Sequence, residues 1–142
     1  MADASSGSSP LPIRRILIVD DDDSVRELLA ELFRWEGYHV TTAPSAGAAL
    51  EVLRREVVDL LVTDYMMPTL SGAKLIETIR AENPDVLIVM MSAFPEAFDA
   101  LDPALQSSTM FLAKPFGADE ALGLVASALS RRPRNSALAS DE

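Results

Sequence analysis

The feature that most constrains the fold is a regular alternation of short apolar runs with amphipathic stretches. The apolar runs are rich in Val, Ile, Leu and Met and occupy residues 16–19, 38–43, 60–63, 86–91 and 110–113. Stretches with helical spacing of apolar residues follow them, at residues 24–35, 45–55, 73–81, from 95 to before 103, and 118–129. Short runs of this kind are typical of strands buried on both faces. The order therefore predicts a doubly wound α/β fold, with a five-stranded parallel sheet and helices on both faces.

Local signals mark the ends of several predicted helices. Either Asp22 or Asp23 can cap the first helix through its carboxylate, and Gly37 can end that helix. Ser45 can cap the second helix in the same way. Pro103 is expected to limit the short fourth helix, because proline cannot continue a helix that precedes it.

A length of 142 residues corresponds to one domain. Residues 1–12 are rich in Ser, Gly and Pro and are predicted to be a disordered leader. Residues 13–130 form the predicted folded domain, and residues 131–142 a flexible tail. With no room for an output domain, the chain is expected to act as a stand-alone single-domain protein.

Charge and residue usage exclude several classes of function. The net charge of −10 disfavours direct binding to nucleic acid or to an anionic membrane surface. The chain has no Cys and one His, His39, which excludes disulfides, thiolate nucleophiles and histidine-rich metal sites. No apolar run is long enough to span a membrane, and residues 1–12 lack the apolar core of a signal peptide. The expected compartment is the cytoplasm.

Polar residues follow four of the five predicted strands. The first strand ends in four consecutive acids at 20–23, the third in Asp64, the fourth in Ser92 and the fifth in Lys114. The carboxyl ends of parallel strands meet at one edge of the sheet, where such folds bind ligands. Clustered carboxylates repel one another and favour a bound cation, and an oxygen-rich site of this kind suits Mg²⁺. A carboxylate beside the metal can attack a phosphoryl group, while a Lys and a hydroxyl bind its oxygens.

Four segments together resemble the receiver domain of two-component response regulators, the CheY-like family: ILIVDDDDSVRELL, LLVTDYMMPTLSG, IVMMSA and FLAKPF. The resemblance covers nearly all of residues 13–130. It implies a flavodoxin-like (βα)5 fold with strand order 2-1-3-4-5. It also implies a phosphorylation-dependent signalling switch or phosphorelay carrier that catalyses only its own phosphoryl transfer and dephosphorylation.

The resemblance assigns roles to the acids. Asp64 corresponds to the phosphoacceptor, which receives its phosphoryl group from a histidine kinase or a histidine phosphotransfer protein. Asp21 and Asp64 would bind Mg²⁺ directly, together with the backbone carbonyl of Met66. Asp20 would assist the metal indirectly, through a water molecule or a hydrogen bond.

Other residues correspond to the family's phosphoryl-binding and switch positions. Lys114 would contact the phosphoryl group, and the family has a cis peptide bond between this lysine and the following proline. Ser92 would move to bind a phosphoryl oxygen, and Phe111 occupies the position of a rotating aromatic residue. The signal would pass to an unknown downstream protein through the face made by the fourth helix, the fifth strand and the last helix. The resemblance also allows a dimer that forms on phosphorylation.

The sequence departs from the common family pattern at four positions. Ser92 replaces the usual Thr but keeps the hydroxyl, and Phe111 replaces a frequent Tyr and loses the hydroxyl. Met66 and Phe94 are apolar where relatives often carry polar residues. Because apolar side chains do not orient an attacking water, we expect slow loss of the phosphoryl group from this chain.

Two other functions remain open at this stage. The pattern Asp20-x-Asp22-x-Ser24 loosely fits the first motif of haloacid-dehalogenase-type phosphatases, in which Asp20 would be the nucleophile. A receiver-like adaptor that never requires phosphorylation is the second alternative. Each residue also has a structural interpretation: Asp64 and Ser92 as ordinary strand-end residues, and Lys114 as a solvated turn residue.

Overall fold

The structure is a computed structural model that describes residues 13–67 and 70–131. The predicted leader, almost all of the predicted tail and residues 68 and 69 lie outside these described residues. The strands are β1 (Arg15–Val19), β2 (His39–Ala43), β3 (Leu60–Asp64), β4 (Leu87–Ser92) and β5 (Thr109–Ala113). The helices are α1 (Asp23–Trp35), α2 (Ala46–Arg55), α3 (Gly72–Glu82), α4 (Pro95–Asp99), α5 (Pro103–Ser107) and α6 (Ala118–Arg131).

The five strands form one sheet in the order β2-β1-β3-β4-β5, and every neighbouring pair is parallel. The predicted order 2-1-3-4-5 is therefore confirmed. The first helix crosses from β1 to β2 at one edge, and the chain then returns past β1 to β3. The carboxyl ends of β1 and β3 consequently lie side by side at the point where the winding direction changes, which is where ligands bind in such sheets.

Two apolar layers cover the sheet, one on each face. Alternating residues of β1 supply both layers: Leu17 and Val19 face one side, and Ile16 and Ile18 face the other. The first layer packs under α2, α3, α4 and α5, and the second packs under α1 and α6. All four of these β1 side chains are at most 1% exposed, so the strand is buried on both faces, as its continuous apolar run predicts.

The predicted helix ends are observed at α1 and α2. The Asp22 carboxylate caps α1 by accepting hydrogen bonds from the backbone N–H groups of Ser24 and Val25. Gly37 follows the end of α1 with φ of +98°, a conformation that favours glycine. The Ser45 hydroxyl caps α2 by accepting from the N–H of Ala48.

The segment after β4 forms two short helices. The first, which begins at Pro95 and ends before Pro103, is confirmed, whereas the second was not predicted. Pro103 does limit the first of them, α4, but it also starts a second, α5, at a position where the missing N–H costs nothing. The Gln106 side chain joins the two pieces by donating to the carbonyls of Asp99 and Leu101, each at 2.9 Å. The strand–helix alternation thus holds for the five strands, but the described chain contains six helices.

The apolar spacing of α1 overstates its buried face. Leu29 and Phe33 are buried, whereas Leu28 is 58% exposed and Trp35 is 89% exposed. The spacing of apolar residues alone does not distinguish the buried positions from the exposed ones. The apolar stripe on α1 is wider than the surface of the sheet and of α6 that covers it. In the described part of the chain, no helix combines the length and hydropathy that crossing a membrane requires.

Candidate functional site

Three carboxylates meet at the carboxyl edge of the sheet. Asp20 and Asp21 follow β1, and Asp64 is the last residue of β3. One carboxylate oxygen from each residue lies within 4.8 Å of the other two. Asp21 is exposed and the other two are buried, so the cluster is open to solvent on one side. Such a cluster is repulsive unless a cation is present or a proton is bound.

Asp20 is the most buried member of the cluster, with 1% exposure. Its Oδ1 accepts a hydrogen bond from the backbone N–H of Asp22 at 2.9 Å, whereas its Oδ2 is buried without a hydrogen-bond partner among the described residues. Burial raises the pKa of Asp20, and the negative charges of Asp64 and Asp21 raise it further. The Asp22 N–H and the Lys114 ammonium act in the opposite direction.

The next two acids of the run do not join the cluster. Asp22 serves as the cap of α1, and Asp23 forms an ion pair with Arg26. Arg26 also donates from Nη1 to the backbone carbonyl of Asp20 at 2.8 Å. The four consecutive acids therefore divide into two pairs, one at the cluster and one that starts the helix.

Lys114 supplies the positive charge of the site. It follows β5, and its Nζ lies 2.8 Å from Asp64 Oδ1 and 3.9 Å from Asp20 Oδ2. The peptide bond between Lys114 and Pro115 is cis, as the family resemblance implied. The backbone N–H of Lys114 donates to the carbonyl of Ser92 at 2.9 Å, which joins the ends of β5 and β4.

Ser92 ends β4 and is 1% exposed. Its Oγ accepts a hydrogen bond from the N–H of Phe94 at 3.0 Å and donates to the carbonyl of Phe94 at 3.3 Å. The hydroxyl is therefore engaged with the backbone that begins α4. Any movement of this hydroxyl toward another acceptor exchanges these two contacts for new ones.

Gly72, for which the sequence predicts no role in the site, sets the position of the loop after Asp64. Its N–H donates to the carbonyl of Tyr65 at 2.8 Å. A Cβ at position 72 would lie 2.6 Å from the backbone oxygen of Asp64 and 2.7 Å from Cα of Tyr65. Since no flexible side chain could yield there, only glycine allows this approach. Its place at the start of a helix, eight residues after an acidic strand end, is the signal that could have indicated this role.

Three apolar side chains lie on the segments that carry the site residues. Met66 is 60% exposed and Phe94 is 52% exposed, each two residues beyond a site residue. Phe111, on β5, is half-buried and packs against Phe98 of α4 with 5.6 Å between the ring centroids. Phe94 is thus exposed, and Phe98 is partly buried.

The residues present fit a divalent cation. Carboxylate oxygens are hard ligands of the kind that Mg²⁺ prefers, and a site with few protein ligands suits its tendency to retain waters. The buried, unpartnered Oδ2 of Asp20 is the observation that calls for such a group, because a buried acceptor is normally satisfied.

The family model for the "Response regulator receiver domain" matches residues 16–126. Among curated proteins, the response regulator protein FleR of Pseudomonas aeruginosa is 35% identical to this chain over 112 residues. The matched region is 79% of this chain and 24% of FleR. The chain is 31% identical over 105 residues to the probable transcriptional regulatory protein TcrX of Mycobacterium tuberculosis, covering 74% of this chain and 45% of TcrX. The chain thus spans between a quarter and a half of the length of these relatives.

Solved structures agree with this match. The response regulator protein TrrA of Thermotoga maritima, in complex with Mg²⁺ and BeF, superposes with a TM-score of 0.75 at 32% identity, covering 82% of this chain and all of TrrA. The chemotaxis protein CheY4 of Vibrio cholerae superposes with a TM-score of 0.76 at 25% identity, covering 83% of this chain and all of CheY4. Receiver domains are in general signalling switches rather than metabolic enzymes, and they typically bind Mg²⁺ at their acidic site. The chain belongs to the family of response regulator receiver domains.

Proposed function

We propose that Asp64 accepts a phosphoryl group from the phosphohistidine of a histidine kinase or a histidine phosphotransfer protein. The observation that carries this proposal is the 2.8 Å contact between Lys114 Nζ and Asp64 Oδ1 within the cluster of acids. Of the acids in the cluster, Asp64 has the closest contact with Lys114, so the ammonium group neutralises negative charge mainly at Asp64. We propose residues 13–130 as the extent of the receiver domain.

In the transfer, a carboxylate oxygen of Asp64 attacks the phosphorus atom. The bond between phosphorus and the donor's histidine nitrogen breaks, its electron pair stays on the imidazole, and the product is an acyl phosphate on Asp64. Lys114 then pairs with a phosphoryl oxygen. Asp21, Asp64 and the backbone carbonyl of Met66 would hold Mg²⁺, with Asp20 acting indirectly. Bound Mg²⁺ would supply charge neutralisation for the phosphoryl oxygens.

Ser92 couples this chemistry to α4. When its hydroxyl donates to a phosphoryl oxygen, the N–H of Phe94 loses the acceptor that it has at 3.0 Å. The start of α4 is then free to shift, and Phe98 of α4 transmits the shift to Phe111 through their ring contact. Phosphorylation thereby changes the relative population of two arrangements of this region.

The responding surface is the β5 face, which we define as α4, α5, β5 and the first turn of α6. It corresponds to the fourth helix, fifth strand and last helix of the sequence-based prediction. Both halves of the Phe98–Phe111 contact belong to it. We propose that a downstream protein reads the phosphorylated state at this face.

We also propose that the phosphorylated state is long-lived. Hydrolysis of the acyl phosphate needs a water oriented by a hydrogen bond near the phosphorus. Met66 and Phe94 are exposed beside the site and offer no polar group for this purpose. Slow loss of the phosphoryl group follows from this composition.

The phosphatase alternative, with Asp20 as nucleophile, fits these distances less well. Lys114 Nζ is 3.9 Å from Asp20 and 2.8 Å from Asp64, and Asp20 is almost fully buried. A nucleophile needs access to its substrate, and Asp64, at 6% exposure, is the more accessible of the two. The adaptor alternative is distinguished by experiment, because it predicts that no phosphoryl group is taken up.

The test is intact-mass spectrometry after incubation with Mg²⁺ and phosphoramidate. We expect one phosphoryl adduct on the unmodified chain and none on Asp64→Asn. The matched control is Asp85→Asn, which makes the same chemical change at an exposed acid in the turn before β4 and should leave the adduct unchanged. An adduct that persists in Asp64→Asn would contradict the assignment, and no adduct on any variant would favour the phosphate-independent adaptor.

A further inference from the structure

The β5 face has an open sheet edge at its centre. β5 is the last strand in the order β2-β1-β3-β4-β5, so one side of its backbone has no neighbouring strand among the described residues. Its residues carry no charge. Phe111 contributes to the layer under α4 and α5, while Leu112 contributes to the layer under α6. These helices therefore flank the open edge on either side.

The centre of this face is partly apolar. Phe111 and Phe98 are half-buried and in ring contact, and Met110 is half-buried on the neighbouring position of the strand. Phe94, which begins α4, is 52% exposed. Solvated aromatic surface beside an unpaired strand edge is a feature that partner proteins commonly cover.

The exposed side chains at the rim of the face carry charge of one sign only. Arg80 of α3 also reaches the face, where it donates to the carbonyl of Ser108 at 3.1 Å, but its side chain is half-buried. Between residues 93 and 130 the sequence contains a single cation, Lys114, and that side chain is held in the site by Asp64. The acids of the same segment are all exposed, and none of them pairs with a lysine or arginine among the described residues: Glu96, Asp99, Asp102, Asp119 and Glu120.

The rest of the described surface differs, because there the acids are mixed with cations. Ion pairs join Arg26 to Asp23, Arg54 to Glu82 and Lys74 to Glu77. The uniform sign of the β5 face is therefore a property of that face, beyond the overall net charge of −10. A surface of one sign around an apolar centre selects partners by electrostatic complementarity.

The same charges act against other occupants. A second copy of the chain, docked through the same face, would bring acid against acid with no exposed cation among the described residues of that face to compensate. Lys114 is used by the site, and Arg80 is engaged with the backbone carbonyls of Val86 and Ser108. Nucleic acid and anionic lipid would be repelled for the same reason. Only a basic surface gains from the contact.

We infer that the β5 face binds a basic, partly apolar segment of a partner protein and does not pair with a second copy of this chain. The inference rests on the proposed function for its regulation by Asp64. The location of the surface and the charge of its partner rest on the exposed acids and on the open edge of β5.

The binding test uses a synthetic helical peptide with lysine and leucine on opposite faces as the probe. The chain is ¹⁵N-labelled, and Mg²⁺ with beryllofluoride stands in for the phosphoryl group. We expect the amide shifts caused by the peptide to cluster in α4, β5 and the first turn of α6. The double variant Asp99→Asn/Asp102→Asn should weaken binding at least about threefold, because it removes two charges from the rim.

The matched control is Glu27→Gln/Glu31→Gln on α1, which removes the same number of exposed charges elsewhere. Equal weakening by the two double variants would overturn the inference, since it would indicate attraction to net charge alone. Shifts centred on α1, or no shifts at all, would also overturn it. Uptake of phosphate at Asp64, followed by mass in parallel, shows separately whether the proposed function itself holds.

Sedimentation velocity of the Mg²⁺–beryllofluoride form tests the second half of the inference. We expect a monomer at concentrations of about 100 µM, well above those at which specific dimers form. A dimer that becomes stronger in Asp99→Asn/Asp102→Asn would overturn the inference, because it would place two copies of the acidic face against each other.

Discussion

The two sides of the site are held in place by very different means. On the side of β1 and β3, hydrogen bonds around Asp20 and a close backbone approach at Gly72 hold the loops that carry the acids. On the side of β4, the loop that follows Ser92 leads into two helices of five residues each. The comparison indicates that the chemical groups lie on the anchored side and the responsive groups on the other.

The anchored side has little freedom at each of its loops. The Asp20 carboxylate accepts from the N–H of Asp22, and the Asp20 carbonyl accepts from Arg26. After Asp64, the loop closes through the hydrogen bond between Gly72 and Tyr65. Gly72 lies so close to the backbone of Asp64 and Tyr65 that a Cβ at this position would clash with it. A fixed arrangement of carboxylates suits a reaction that depends on positioning.

The responsive side depends on side-chain hydrogen bonds that can be exchanged. Ser92 Oγ bonds to the backbone of Phe94, and Gln106 joins α5 to the end of α4. Neither short helix has a side-chain cap at its N-terminus. Helices this short are marginal without tertiary support, so small changes in contacts can shift them.

The largest effect is expected from a change at Gly72, on the anchored side. Gly72→Ala should lower the free energy of unfolding by about 2 kcal/mol and reduce the rate of phosphoryl uptake, because the new methyl group meets backbone atoms of Asp64 and Tyr65. Gly47→Ala is the control: its Cβ meets nothing within 4 Å in α2, so it should stabilise the chain by up to about 1 kcal/mol. Urea unfolding and intact-mass time courses give the two readouts, and a loss shared equally by both variants would contradict the role of Gly72.

A second variant tests the lifetime of the phosphorylated state. Met66→Asn should speed loss of the phosphoryl group roughly tenfold, because an amide can hold an attacking water that the thioether cannot. The decay of the mass adduct after removal of phosphoramidate measures the rate. Met66→Leu is the apolar control and should decay as slowly as the unmodified chain. Fast decay in the unmodified chain, or no acceleration by Met66→Asn, would refute the proposal.

The Ser92→Ala variant tests the responsive side of the site. It should still take up phosphate at Asp64, since Lys114 and the acids remain, but α4 should no longer change its hydrogen-exchange protection on phosphorylation. The physical reason is that the hydroxyl is the group that can exchange the Phe94 contacts for a phosphoryl oxygen. Ser92→Thr, which retains the hydroxyl, should preserve the response. A full response in Ser92→Ala would disprove the coupling.

The smallest expected effect is that of Gln106→Ala. Loss of its two hydrogen bonds to backbone carbonyls should destabilise the join between α4 and α5 by about 1 kcal/mol, with little effect on global unfolding. Faster amide exchange confined to α4 and α5 is the expected observation. The exposed Ser107, whose hydroxyl bonds only within α5, provides the control Ser107→Ala. Equal amide exchange rates in both variants would contradict the role of Gln106 in joining α4 to α5.

Much of the fold could be predicted because its signals are local. Local interactions along the chain determine the strands and the helix ends, so the sequence alone predicts them. The signals are the runs of β-forming residues, the cap residues Asp22 and Ser45, and Gly37. The split of the fourth helix was missed because Pro103 was treated only as a stop, although proline is equally suited to begin a helix. The exposure of Leu28 was missed because burial depends on which neighbours cover a face.

The candidate site divides in the same way. The types of its residues and their positions after strands are properties of the sequence, and the resemblance assigned the roles of Asp20, Asp21, Asp64, Ser92 and Lys114, which remain proposals to test. Gly72 escaped notice because its importance lies in a distance to another backbone segment. No pattern of residue types encodes that distance directly.

The sequence by itself determined the strand–helix alternation, the parallel sheet and the set of polar residues that end its strands. Only the tertiary structure decided which acids meet, which carboxylate Lys114 pairs with, and where the charge of a single sign lies against an open strand edge. The physical reason is range: propensities and caps act over a few residues, whereas Lys114 and Asp64 are 50 residues apart and meet only because both follow strands of one sheet.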